Sequence, residues 1–193
     1  MTAAPDGLDW TQHAFDQLDW HYRYFARPRL DGLTDDEYRW RPVEPCWDLR
    51  PRPDGTLELE YDVPEPVPPP VTTIAWRLGH LIVSTVGMRA ASHFGAAPIH
   101  WETHPYAATA EEALTQLDTV YAAWAKGVSA MTPEAAARPV GPAEGPWADT
   151  ALFGLVMHIN REMIHHLAEI ALLRDLYRER FGDAVDREQR RTS

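Results

Sequence analysis

The chain has 193 residues, 45% of them hydrophobic, which suits one domain with a substantial core. Its 29 acidic and 18 basic residues give a formal net charge of -11, which repels phosphate backbones and anionic lipid and argues against nucleic acid or a membrane as a partner. A single cysteine, Cys46, excludes an internal disulfide framework and a cysteine-rich zinc site; with no run of about eighteen apolar residues and no basic or apolar leader over residues 1–9, a soluble cytoplasmic protein is expected.

Residues from about Leu8 to Phe25 read as the first helix. Trp10, Ala14, Leu18, Tyr22 and Phe25 recur at helical spacing, with Asp9, Gln12, Asp16 and Asp19 between them and His13 and His21 flanking the stripe. Pro28 ends the element, and Thr34 with Glu37 three residues later has the form of a capping box for one or two further turns. Residues 41–70 carry nine prolines and form an insertion, not a bundle helix. Within it, strict alternation over Leu57–Val63 after the turn residues Pro53-Asp54-Gly55 predicts a small β-hairpin pairing Cys46–Arg50 with Leu57–Tyr61. Two strands are marginal alone, so the hairpin must lean on the bundle or on a second chain. Cys46, with no basic or histidine neighbour in sequence, reads as an inert, semi-buried thiol.

Val71–Ala91 is the second long helix, with Thr72 or Thr73 as N-cap. Ile74, Leu78, Leu81, Thr85 and Met88 make its apolar stripe. Beside it runs a line of small or polar residues, Thr73, Arg77, His80, Ser84, Gly87 and Ala91. Either this line leaves room for a pocket around His80, or Gly79, Ser84 and Gly87 allow close helix packing with His80 hydrogen-bonded across it. A loop over residues 93–107 follows, and then a third helix opened by Thr109 and Glu112 as a capping box. Its seam of Leu114, Leu117, Tyr121, Trp124 and Val128 is scaffold.

After the Pro/Gly-rich linker Arg138–Asp149, the fourth helix starts at Thr150. An apolar seam continued by steps of three and four runs through 155, 159, 162, 166, 169, 173 and 176, which puts Glu162, His166 and Glu169 where a bundle would place leucine. Glu162 and His166, four apart, stack on one face, either as two ligands for a metal ion or as a hydrogen-bonded pair that fixes packing register. His165 points about 100° away and belongs to the outer face or an interface. The expected architecture is an all-α four-helix bundle over residues 1–182, with a long crossover carrying the 41–70 insertion, and a disordered charged tail over 183–193.

Two segments, Thr72-Thr73-Ile74-Ala75-Trp76-Arg77-Leu78-Gly79-His80-Leu81 and His158–Ile170, together with Cys46–Arg52 and the proline run, resemble the DinB-like superfamily, in particular its actinobacterial members. That family holds a divalent metal at the open end of the bundle with one histidine of the second helix and an H-x-x-x-H pair of the fourth. Glu162 stands where many relatives have the first histidine of that pair. The same substitution occurs in the related mycothiol-dependent maleylpyruvate isomerases, whose zinc is held by His, Glu and His at matching positions. The resemblance therefore implies His80, Glu162 and His166 as ligands of a divalent ion, zinc foremost and nickel, manganese or iron otherwise.

It further implies a metal-dependent transferase or isomerase that uses mycothiol or a similar low-molecular-weight thiol as cosubstrate on a small electrophile. The other reading is a stress-related bundle that binds metal or a small ligand without turnover. Arg77, one turn from His80, either pairs with an anionic substrate group or caps an internal carboxylate such as Glu169. His158, one turn before Glu162, either transfers protons or packs at the surface. Aromatic residues around Trp47 and Trp101 permit a homodimer.

Overall fold

In the computed structural model, which describes residue 7 and residues 9–182, helices dominate and the only sheet among the described residues has two strands. Leu8 and the charged tail over 183–193 lie outside the described residues. Helix α1, Trp10–His21, opens with the Asp9 carboxylate accepting the Gln12 N–H at 3.0 Å. It runs on as a π-helical segment, Tyr22–Ala26. Ala14, Leu18 and Tyr22 are buried as the spacing predicts, but Trp10 is 65% and Phe25 48% exposed. The wider π turn takes an extra residue, so Ala26 occupies the inward place that a 3.6-residue period gives to Phe25. Helix α2, Asp35–Tyr38, carries both halves of the capping box: Glu37 N–H to Thr34 Oγ1 at 3.2 Å, and Thr34 N–H to Glu37 Oε2 at 3.0 Å.

The insertion contains the hairpin, in shorter form. Strand β1, Leu49–Pro51, pairs antiparallel with β2, Leu57–Leu59, with Leu49 opposite Leu59 and Arg50 opposite Glu58. Trp47 leaves this ladder to bridge the start of the next helix, donating to Val71 O at 2.9 Å and accepting from Thr73 N–H at 3.0 Å. The hairpin leans on the bundle. The Trp76 indole N–H donates to Glu60 O at 2.7 Å, and Leu49, Leu57 and Leu59 pack on the core. A Cβ on Gly79 would sit 3.0 Å from Leu59 Cδ1, so the missing side chain is what lets the strand approach.

Helix α3, Ile74–His80, is N-capped by Thr73, whose hydroxyl accepts the Trp76 N–H at 3.1 Å and donates to Asp48 at 2.7 Å. It continues through a second π-helical segment, Leu81–Gly87, into α4, Met88–Phe94, closed by Gly95 at φ 70°. Helix α5, Ala110–Ser129, has Thr109 as N-cap. The Glu112 carboxylate takes the Ala108 N–H at 3.1 Å instead of the cap's own, so the reciprocal half of the expected box is displaced by one residue. A short helix α6, Pro133–Ala137, and a 3₁₀ segment, Pro142–Trp147, lead to α7, Leu152–Phe181, which begins two residues after Thr150. Leu78, Leu81, Ile82 and Val86 share one core with Leu117, Tyr121 and Trp124 of α5 and with Met163, Leu167 and Ile170 of α7. Among the described residues no helix is long and apolar enough to cross a membrane.

The buried face of α7 runs through Leu152, Leu155, Val156, Ile159, Asn160, Met163, Leu167, Ile170, Leu173 and Arg174. Between Ile159 and Leu173 this departs from the heptad seam, running through Met163, Leu167 and Ile170 in place of 162, 166 and 169, and Leu176 is 48% exposed. A straight α-helix lags a heptad by about 20° every seven residues, so over three heptads the core-facing stripe moves to the neighbouring positions. Glu162, His166 and Glu169 are thereby placed at the edge of the core, half-buried, instead of at its centre.

Candidate metal centre

Helix α3 ends at His80, and its neighbour Trp76 fixes that ring. The two rings stack with centroids 5.3 Å apart and planes 10° apart. From α7, His166 meets His80 edge to face at 4.9 Å. Glu162, one turn earlier on α7, brings Oε2 to 3.6 Å from His166 Nε2. One ligand atom from each of His80, Glu162 and His166 lies within 4.8 Å of the others. Two ligands of a tetrahedral ion bound at roughly 2.0–2.1 Å stand about 3.4 Å apart, so the Glu162–His166 edge is near that of a zinc-type site.

Electrostatics suit the same use. Burial, and secondarily the neighbouring His166, lowers the His80 pKa to about 4, and burial lowers that of His166 against the pull of Glu169. Both imidazoles are therefore neutral near pH 7, the form that binds a cation. His166 Nδ1 lies 2.8 Å from Glu169 Oε2, which places the proton on Nδ1 and leaves the Nε2 lone pair facing Glu162 and His80. Arg77 pairs with the same Glu169 oxygen and comes to 3.4 Å from His166 Nδ1.

The other end of the set is held by Glu162 Oε1, which lies 3.6 Å from His158 Nδ1 and 3.4 Å from Arg161 Nη2, while Arg161 and His158 are themselves 2.6 Å apart. Arg77 and His158 thus flank the cluster on opposite sides, the first at the Glu169 end and the second at the Glu162 end. A second grouping, His165, His166 and Glu169, is equally close, but the Arg77 cation already neutralises Glu169 and repels a further ion there. Cys46 is buried, and burial pushes its thiol up to about 11, so it is no nucleophile at neutral pH.

Sequence reading found the three ligand candidates and named Glu169 as a partner for Arg77. It passed over Arg161, which follows Asn160 in a polar run with no periodic signal, and Arg89 and Glu144, which reach this end of the bundle from segments far apart in the chain. Comparison with known proteins gives a match over residues 17–170 to the family described as the DinB superfamily. No curated protein and no solved structure matches the chain.

Proposed function

The chain belongs to the DinB superfamily, and on that premise we propose that it is a divalent-metal-dependent enzyme that transfers or isomerises a small electrophile with the help of a low-molecular-weight thiol of the mycothiol type. The observation that carries the reading is the convergence of His80, Glu162 and His166 from two helices, with neutral imidazoles and one carboxylate. His80, Glu162 and His166 would hold a divalent ion, zinc by the chemistry of this donor set, and such an ion would supply the Lewis acidity that lowers the pKa of a thiol.

The chain's own residues do the rest. Trp76 holds the His80 ring, and Glu169 holds the His166 Nδ1 proton so that Nε2 stays a donor of electrons. Arg77 neutralises Glu169 and acts as a positioning residue. His158, half-exposed and beside Glu162, takes the thiol proton at Nδ1 once that nitrogen releases the Arg161 N–H it accepts at 2.6 Å, and returns the proton to the product.

The test is thiol consumption by metal-loaded protein over a panel of small electrophiles, with the His166→Ala variant and chelated protein as controls. Loss of thiol that requires both the ion and His166 supports the enzyme. Stoichiometric metal with thiol unchanged across the panel would leave a binding protein without turnover.

A further inference from the structure

The proline-rich insertion meets the metal centre through a series of aromatic rings. Trp47 stands just before strand β1, with its ring 5.8 Å from that of Trp76 and the planes 30° apart, and Trp76 in turn stacks on His80. Tyr61, just past β2, packs on Trp47 at 5.9 Å. Hydrogen bonds hold the series in place. Glu60 serves it at three points: its N–H donates to Asp48 O at 3.1 Å, its Oε2 accepts the Asp48 N–H at 2.8 Å, and its carbonyl accepts the Trp76 indole N–H. Asp48 Oδ1 also accepts the hydroxyl of Thr73, the cap of α3, so the insertion grips the start of the helix that carries His80.

Trp76 and His80 are one turn apart and share a face, but helix geometry alone does not fix the rotation of the indole. The side chain is buried, and a buried indole N–H needs an acceptor. That acceptor is Glu60 of the insertion, not a group of the bundle. With the insertion lifted away, the N–H has only water to bond, and the ring turns outward and leaves His80 without its stacking partner. A two-stranded hairpin is marginal by itself, so the dependence runs both ways: the hairpin needs the rings, and the rings need the hairpin.

We propose that Trp47 is a positioning residue for the metal ligand His80, acting through Trp76, and that order in the 41–70 hairpin is thermodynamically linked to divalent-metal binding in the bundle. An ion that fixes the His80 ring tightens the hairpin, and a loosened hairpin weakens the ion by the same factor. The proposal rests on the metal-dependent reading for the ion alone; the ring series orients His80 with or without it.

The experiment uses full-length protein, zinc-free and zinc-loaded, as wild type, Trp47→Leu and Trp47→Phe. In zinc-free protein at one fixed pH, the carbon-bound ring protons of His80 should resonate upfield of an unstacked histidine. Trp47→Leu should move them toward the unstacked position, and Trp47→Phe should keep them near wild type. Zinc should slow amide hydrogen exchange at Trp47, Glu60 and Thr73, whose N–H groups tie the insertion together and to α3. Trp47→Leu should weaken zinc binding about tenfold by chelator competition, the low end for loss of an outer contact, with Trp47→Phe recovering most of it. His80 ring signals identical in wild type and Trp47→Leu overturn the proposal whatever the metal does. So does zinc that binds wild type without slowing exchange at these amides, or binds Trp47→Leu with unchanged affinity. Ring signals that shift in Trp47→Leu while no form of the protein binds zinc support positioning by Trp47 and overturn the metal reading, and the linkage with it.

Discussion

His166 uses its two ring nitrogens differently. Nδ1 faces Glu169 at 2.8 Å and Nε2 faces Glu162 at 3.6 Å. Removing the charge of the Nδ1 acceptor with Glu169→Gln should weaken metal binding by about 10–100-fold with the fold retained, as read by chelator competition alongside a thermal scan. Affinity equal to wild type would mean that Glu169 does not orient the ring. His80 sets a pH dependence of its own. Burial lowers its pKa from 6.5 to about 4, so between those values the unfolded chain binds a proton that the folded chain refuses. The associated stability is fully present above about pH 6.5 and is lost as the pH falls, by about 1–2 kcal/mol near pH 5 in metal-free protein. Urea midpoints at pH 7 and pH 5 should show a smaller drop for His80→Gln than for wild type; equal drops would contradict the assignment. At this scale the sequence displays the Glu162–His166 spacing, because a four-residue step is local geometry. Which nitrogen of His166 faces which carboxylate depends on Arg77 and Glu169 meeting across two helices, and no local pattern encodes that.

Elements decide where those side chains point. The long rod from Ile74 to Phe94 is continuous but changes pitch over Leu81–Gly87, immediately after His80. Gly87 closes that segment, and a Cβ there would lie 2.4 Å from Ile82 O and 2.7 Å from Ile99 Cδ1. Gly87→Ala should therefore destabilise the protein by about 1–3 kcal/mol in urea unfolding, since the nearest atom is backbone and has little room to give. Wild-type stability would show that the π turn tolerates the methyl group. Caps and turns are the legible part of the elements. Thr34, Thr73 and Thr109 all cap helices, and Pro53-Asp54-Gly55 turns the hairpin, since each is a short-range hydrogen-bonding pattern. The pitch changes are not legible, and they account for the exposed Phe25; the straightness of α7 accounts for the displaced seam.

Over the whole molecule, one helix serves both scaffold and site. Helix α7 carries Glu162, His166 and Glu169 on one flank. Farther along it buries Arg174, 1% exposed, against Glu37 with contacts of 3.1 and 3.2 Å, which ties α7 to α2. That buried pair was invisible in the sequence, where Arg174 follows Leu173 as an ordinary surface charge would. The bundle, the long crossover and the proline-rich insertion were visible, because they follow from helix count and from where proline forbids a helix. A cavity beside the centre was not, since it needs Arg89, residues 140–150 and the His158–Arg161 turn brought together from three distant segments. What the whole fold achieves is to aim two imidazoles and a carboxylate at one point. Elemental analysis of protein purified without chelators tests this most directly: about one equivalent of divalent metal is expected in wild type and essentially none in His166→Ala, whereas a full equivalent retained by the variant, or none in wild type after zinc is supplied, would contradict it.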